Sequence, residues 1–479
     1  MRDCCPIPAS VLDSFPVPEM QDVRRALKQK LAALNRKIVV LDDDPTGVQT
    51  VHDIHVYTDW EKNTLQEAFR EENPMFFILT NSRGMTAAVS EAQHRIMAEN
   101  IAAASAETEK DYIIISRSDS TMRGHYPLEP KVLKETLEKC GGKKFDGEII
   151  YPFFREGGRF TIDDIHYVRE GDVLTPAGQT EFARDKSFAY QSSDLRDWCE
   201  EKTHGVYLAQ NVTSVSLDDL RALHIEKITE QLKNVRDFNK VIVNSIDYTD
   251  VEVFMLAFLT AVESGKEFIF RSAAAVTKIL GGVSDQPLLR REDLVSPGST
   301  AGGLIVVGSH VNKTSRQLEE LRKCKYPITF IEFNQHLVLE DGGLEQERKR
   351  VVAQAEEAIS HGKTAAVYTR RERLDLNTDD ADRQLEISMK ISEAVTGIVE
   401  GIQCRPAFII AKGGITSSEI GTKALRVRRA LVKGQVRPGI PVWQTGSESK
   451  FPDMPYIIFP GNVGTENDLR EIVETLMEV

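Results

Sequence analysis

Ten short apolar runs punctuate this chain, and their rhythm constrains the fold more than any other feature. They lie at Ile38–Leu41, Phe76–Leu79, Tyr112–Ile115, Glu148–Tyr151, Val241–Val243, Phe268–Phe270, Leu304–Val307, Ala365–Tyr368, Phe408–Ala411 and Tyr456–Phe459. They are near-continuous rather than alternating, as expected of parallel strands covered on both faces. Between them, apolar residues fall at helical spacing, as at Val89, Ala92, Ile96 and Ala103 within 87–104, and again in 345–360 and 382–400. Strand–helix alternation predicts an α/β fold of mostly parallel sheets flanked by helices. At 479 residues the chain is too long for one ordinary domain, and two are expected.

The rhythm lapses in "GGVSDQPLLRREDLVSPGSTAGG", residues 281–303, which is dense in Gly, Pro and Ser. We read it as a linker between a domain at 37–280 and a second at 304–479, with 1–36 as an N-terminal extension. Residues 152–200 are irregular and polar; so long a loop is expected to be an insertion that shapes a site.

Charge and cysteine usage narrow the function. The net charge of −13 argues against a nucleic-acid partner, which needs a basic face. It leaves an anionic small ligand open, because a local group of arginines outweighs a distant field. Six cysteines are scattered without a CxxC pair, so neither a zinc knuckle nor a disulfide framework is expected. No run approaches the roughly 20 apolar residues of a membrane span. The N-terminus lacks a basic region followed by an apolar core. A cytoplasmic protein with no membrane partner is expected.

In open parallel sheets, ligands bind at the carboxyl ends of strands. Three polar clusters fall there in the first domain: Asp42-Asp43-Asp44-Pro45-Thr46-Gly47, Thr80–Gly84 with Arg83, and "SRSDSTMRGHYP" at 116–127. The last holds Arg117, Asp119, Ser120, Thr121, Arg123, Gly124 and His125. Arginine fits a carboxylate through paired hydrogen bonds, while Asp, Ser and Thr bond hydroxyls. Together they suit a polyhydroxylated acid. In the second domain, Gly308-Ser309, Gly413-Gly414 and Gly461 to Gly464 follow strands, where glycine amides can meet an anion. Thr416 with Glu419, and Thr465 with Asp468, have capping-box spacing. No Walker A motif and no dinucleotide fingerprint is present.

Two resemblances follow. "VVLDDDPTG" fits the hhhhDxDx(T/V) motif of haloacid-dehalogenase-type phosphatases, with Asp42 as nucleophile and Asp44 as general acid; their later motifs and the second domain remain unaccounted for. From about Lys37 to about Glu474 the chain resembles the four-carbon acid sugar kinase family. It carries that family's DDxTG motif as Asp43 to Gly47 and its K-x-DSTLRGN motif as Arg117 to His125. The P-x-x-P-x-x-GR segment stands at Pro152 to Arg159. The GS, GG(D/E)T and terminal glycine motifs stand at Gly308-Ser309, Gly413 to Thr416, and Phe459 to Gly464. It departs at Arg117, His125, Ile415 and Arg155, and in Phe459-Pro460, where the family has Lys-Ser.

That resemblance implies ATP-dependent phosphorylation, with Mg2+, of a hydroxyl on a small tetronate-like sugar acid. It implies Asp43 and Asp44 as catalytic carboxylates. Arg83, Asp119, Ser120, Thr121, Arg123, Gly124, His125 and Arg159 would bind the acid, with Arg123 as the carboxylate clamp. Ser309, Gly413, Gly414, Ile415, Thr416, Gly461 and Asn462 would bind ATP, and the active site would lie in the cleft between domains. Metal ligands are not assigned. A homodimer is compatible with this reading, and a sugar-acid-binding protein without catalysis is the remaining alternative.

Overall fold

The computed structural model describes residues 4–372, 374, 381–461 and 463–478. They form two compact units: 1–51 with 59–285, and 52–58 with 286–479.

The first unit is built on seven parallel strands. In chain order they are β1 (Arg36–Asp42), β2 (Met75–Leu79), β3 (Asp111–Arg117), β4 (Gly147–Tyr151), β5 (Thr213–Val215), β6 (Asn239–Val243) and β7 (Phe268–Ser272). Their order across the sheet is β5-β6-β4-β7-β3-β1-β2. Helices Ala87–Thr108, Leu128–Gly141 and Tyr248–Glu263 make three of the crossovers. The strand interiors are buried on both faces, as Val39, Val40, Phe76, Phe77 and Ile114 show; this is why they read as unbroken apolar runs. The chain leaves β1 for β2 on one side and returns to β3 on the other. That reversal opens a crevice beyond the carboxyl ends of these strands.

Residues 152–200 are not a structureless insertion. They contain an antiparallel meander, Arg159–Ile162, Ile165–Glu170 and Val173–Pro176, completed by Ile7–Pro8 from the N-terminus. The alternation here is short and interrupted by Asp163-Asp164, both at positive φ in the hairpin turn, so the apolar-run criterion passed over it. The N-terminal segment is also part of this unit. Its helix Gln21–Ala33 lies on Tyr248–Glu263, with Arg24 paired to Glu252 and Lys30 to Glu263.

The second unit holds β8 (Leu304–Val307), β9 (Ile328–Phe333), β10 (Thr364–Thr369), β11 (Ile409–Lys412), β12 (Arg429–Arg437), β13 (Ile440–Thr445) and β14 (Pro455–Phe459). Strands β14-β11-β8-β10-β9 are parallel neighbours. Antiparallel β13 and β12 extend the β14 edge, and the short strand Ile54–Tyr57 pairs antiparallel with β12. Ile305, Val307, Ile410, Ile457 and Phe459 share one core with Leu469, Ile472 and Val473 of the helix Asp468–Met477. Among the described residues no helix is long and apolar enough to cross a membrane.

Candidate functional site

At the carboxyl ends of β1, β2 and β3 the first unit gathers an acid–arginine network. Asp42 closes β1, and the chain turns through Asp43 to Thr50. Two interactions lock this turn: the Thr46 amide and hydroxyl donate to Asp44 Oδ1 at 2.8 and 2.5 Å. Gly47 packs so closely that a Cβ there would collide with the Asp42 carboxylate.

The three adjacent carboxylates face different partners. Asp42, 2% exposed, meets Arg117 Nη1 at 3.0 Å. Burial pushes its acid up to about 7 despite the Arg117 charge. Asp43 accepts from Ser118 Oγ at 2.5 Å and Arg83 Nη2 at 3.0 Å. Burial raises it too, against the pull of Arg83 and Arg117. Asp44 lies 3.0 Å from Arg83 Nη2. There burial is outweighed by Arg83 and the Thr46 hydrogen bonds, and the carboxyl falls below its ordinary range. Its side chain keeps 20% exposure against 2% for Asp43.

Arg83, carried on the turn after β2, joins this turn to the loop after β3. Its Nη1 reaches Asp119 Oδ1 at 3.3 Å. Asp119 in turn takes Arg123 Nε at 2.9 Å and Nη2 at 3.2 Å, and the Thr121 hydroxyl. Arg83 and Arg123 together overcome burial and hold Asp119 far below the usual carboxylate range. Arg123, expected to clamp a substrate carboxylate, therefore has two of its three nitrogens committed to Asp119. Its Nη1 faces Asp185 at 3.7 Å, and its guanidinium lies over Phe182.

The rest of the loop is held from behind. Ser120 and Thr121 are fixed by their carbonyls: His166 Nε2 donates to Ser120 O at 2.8 Å and Tyr190 OH to Thr121 O at 2.7 Å. Burial drops the His166 acid to about 4, so the ring stays neutral. His125 Nε2 spans Ser82 O and Met85 O, each at 3.0 Å, and so ties the loop after β3 to the loop after β2. Gly124 has φ +116°, and a Cβ there would stand 2.6 Å from Ser118 Oγ. Arg159 differs from Arg83, Arg117 and Arg123, which each pair with a carboxylate. Among the described residues it has no carboxylate partner, its Nε is buried without a hydrogen bond, and it shares the Phe182 ring with Arg123. Burial lowers its pKa.

Sequence reasoning missed two members of this cluster. Arg271, near the end of β7, is 2% exposed and donates to Arg123 O at 2.8 Å. Ser118 bonds Asp43. A lone arginine in "FIFRS" was the available signal for the first, and the motif spacing for the second.

In the second unit, three loops after β8, β11 and β14 come together. Ser309 Oγ lies 3.2 Å from Thr314 Oγ1, which also donates to Gly461 O at 3.4 Å. Gly308 packs on Thr416, where a Cβ would clash. The Gly413 amide is not available to a ligand, because it donates to Phe459 O at 3.0 Å. Gly414, Ile415 and Thr416 form the first turn of the helix Gly414–Glu419, whose cap residue is Gly413. Helix starts leave their first amides without intrahelical partners. Ile415 is 68% exposed at that turn.

The capping box expected of Thr416 and Glu419 does not form; Glu419 instead accepts from Ser392 and Thr396 and pairs with Lys423. Half of the second expected cap is present, with the Thr465 amide donating to Asp468 Oδ2 at 2.6 Å. Asn462 lies outside the described residues.

One unit thus carries a carboxylate–arginine cluster at its strand ends, and the other carries glycine-bearing loops after its strands. Residues 38–280 match the family described as a sugar-binding N-terminal domain, and residues 304–469 the family described as a nucleotide-binding C-terminal domain. The chain belongs to the four-carbon acid sugar kinase family that these two domains make up. No curated protein matches the sequence.

Two solved structures share the fold. One is a Salmonella typhimurium LT2 protein with a provisional tRNA synthase assignment: 14% identity, 91% of this chain and 98% of that one, TM-score 0.64. The other is a Haemophilus influenzae protein of a family of unknown function: 16% identity, 92% and 100% coverage, TM-score 0.60.

Proposed function

We propose that the protein is an ATP-dependent kinase that phosphorylates a hydroxyl of a small, tetronate-like sugar acid. The observation that carries this reading is the Asp43–Arg83–Asp44 cluster at a strand-end crevice, in a chain whose other half is a nucleotide-binding domain. A sugar hydroxyl is a poor nucleophile near neutral pH, and a carboxylate beside it accepts its proton and aims it at the γ-phosphorus. Geometry comes before acidity in choosing that group. Asp44 is the more exposed of the pair, so it is the carboxylate a hydroxyl meets; Asp43 fixes Arg83 and Ser118 behind it. Arg159, with no acid of its own, is the cation for the substrate's carboxylate. In the second unit, the amides of Gly414, Ile415 and Thr416 face phosphates, and Ser309 supports them.

Among the described residues no three His, Cys, Asp or Glu side chains are grouped to hold a metal ion. In this reading Mg2+ arrives on the nucleotide phosphates, as it commonly does, and offsets their charge.

A dehalogenase-type phosphatase would use Asp42 as nucleophile. That carboxylate is sealed by burial, Arg117 and Gly47, which leaves no face for a phosphoryl group. The test is a screen of four- to six-carbon aldonates with ATP and Mg2+, read as ADP release. Turnover of at least one acid is expected. Hydrolysis of sugar phosphates without any kinase turnover would favour the phosphatase, and acid binding without ATP consumption would favour a sensor.

A further inference from the structure

Lys412, the last residue of β11, has no role in the reading above and an unusual setting. It is fully buried. Among the described residues no carboxylate pairs with it. Its ammonium donates instead to two carbonyls of the loop after β14, Pro460 O and, at 3.2 Å, Gly461 O, and lies 3.9 Å over the Phe459 ring. The next residue, Gly413, bonds Phe459 O at the end of β14, just before that loop. Lys412 thus stands directly behind the helix start at Gly414 and fastens it to the Gly461 loop.

A buried ammonium held only by carbonyls and a ring face is compensated in dipoles, not in charge. Such an arrangement is costly unless an anion comes near. We propose that Lys412 is a positioning residue for the nucleotide: it joins the two glycine-bearing loops and supplies the buried positive charge against which phosphates are held. This inference rests on the nucleotide-binding reading of the second unit and adds a residue to it.

Proton linkage gives the idea a signature. Burial, followed by the Lys313 charge, brings the Lys412 ammonium down to about 7, with Asp468 opposing. The other charged groups on the surrounding segments are engaged elsewhere. Arg371 donates to Ser309 O and Ser315 Oγ, Asp468 accepts from the Thr465 amide, and Glu419 pairs with Lys423. His310 lies against Thr369 Oγ1. Above pH 7 a large share of Lys412 is neutral in the free protein, and bound phosphates favour its charged form. Nucleotide binding should therefore take up a proton.

The experiment titrates MgADP and adenosine separately into the full-length protein by calorimetry at pH 8. Phosphate groups are fully ionised there. Three buffers of different ionisation enthalpy are used. Wild type should take up a fraction approaching one proton per MgADP and none with adenosine, and MgADP affinity should fall with pH above 7. Lys412→Met should abolish the uptake and weaken MgADP on the order of ten-fold or more, with adenosine affinity unchanged. Equal MgADP affinity in variant and wild type, or equal loss for MgADP and adenosine, would overturn the proposal. So would wild-type binding of MgADP without proton uptake, a result that needs no variant to fold. Failure of wild type to bind either ligand would instead sink the nucleotide reading itself.

Discussion

Arg83 offers the sharpest test of the acid–arginine network. It meets Asp43, Asp44 and Asp119 at 3.0, 3.0 and 3.3 Å, and its side chain is 21% exposed while theirs are 2, 20 and 12% exposed. Arg83→Met keeps the apolar stem and removes the charge. Asp43 then retains Arg117, Asp119 retains Arg123, and Asp44 retains only Thr46. Removing one partner of a buried pair costs about 3–5 kcal/mol. Proton uptake sets a ceiling, because neutralising one carboxylate of ordinary acidity at pH 7 costs roughly 4 kcal/mol. The expected loss is therefore about 3–4 kcal/mol at pH 7, or on the order of 10 °C in melting temperature.

The sign with pH follows from the shifts. In wild type, Asp44 and Asp119 are depressed. Their stabilisation is complete above the unfolded value near 4 and is lost only as pH falls through the folded values below it. In the variant Asp44, and Asp43 further still, are raised while Asp119 keeps Arg123, so folding binds protons at Asp43 and Asp44 and acid favours the folded state. The deficit should be largest at pH 7 to 8 and shrink toward pH 5. Scanning calorimetry of both proteins at pH 5, 6, 7 and 8 measures it. A deficit that is absent, constant with pH, or larger at pH 5 would refute the account of Arg83 as the shared counter-charge.

Three further outcomes are expected of the same site. Gly124→Ala forces a side chain into φ +116° and against Ser118 Oγ, so denaturant unfolding should show a loss of about 3 kcal/mol from backbone strain and the broken bond to Asp43; parental stability would show that the Ser118–Asp43 contact is dispensable. Arg159→Met should weaken binding of an aldonate roughly 10- to 100-fold and leave the corresponding neutral polyol unaffected. Arg123→Lys, which loses the two-point bond to Asp119, should chiefly lower the melting temperature; the reverse pattern would return the carboxylate to Arg123.

The parallel core was legible because strands buried on both faces have no polar face to break the pattern. All ten apolar runs became strands, and five of them run on by a residue or two at the carboxyl end, taking in Asp42, Arg117, Arg271 and Lys412. Strands with one wet face went unread. β12 alternates buried and open positions along RALVKGQVR, a period-2 pattern that a search for continuous runs does not see, and β9 is only partly covered. The clusters at Asp43, Arg83 and Asp119 were readable as strand-end loops. Their internal pairing was not, because which arginine spends its donors on which aspartate is decided by three loops arriving together. The same holds for Glu419: its spacing from Thr416 suits a cap, yet tertiary contact with Ser392 and Thr396 claimed it.

The strand Ile54–Tyr57 makes the second unit discontinuous in sequence. Its partners, Ile54 with Val432 and Tyr57 with Arg429, stand more than 370 residues apart in the chain. Severing the polypeptide after Asp285 would thus release a fragment with β12 as a bare edge, its unpaired amides and carbonyls ready to recruit another copy. During synthesis the strand waits until almost everything else has left the ribosome, and closure over so long a span is slow. The seven residues His52–Thr58 act as a tether sewn from the opening of the chain into its end, so excision of the nucleotide half as an independent module requires grafting that strand back onto it.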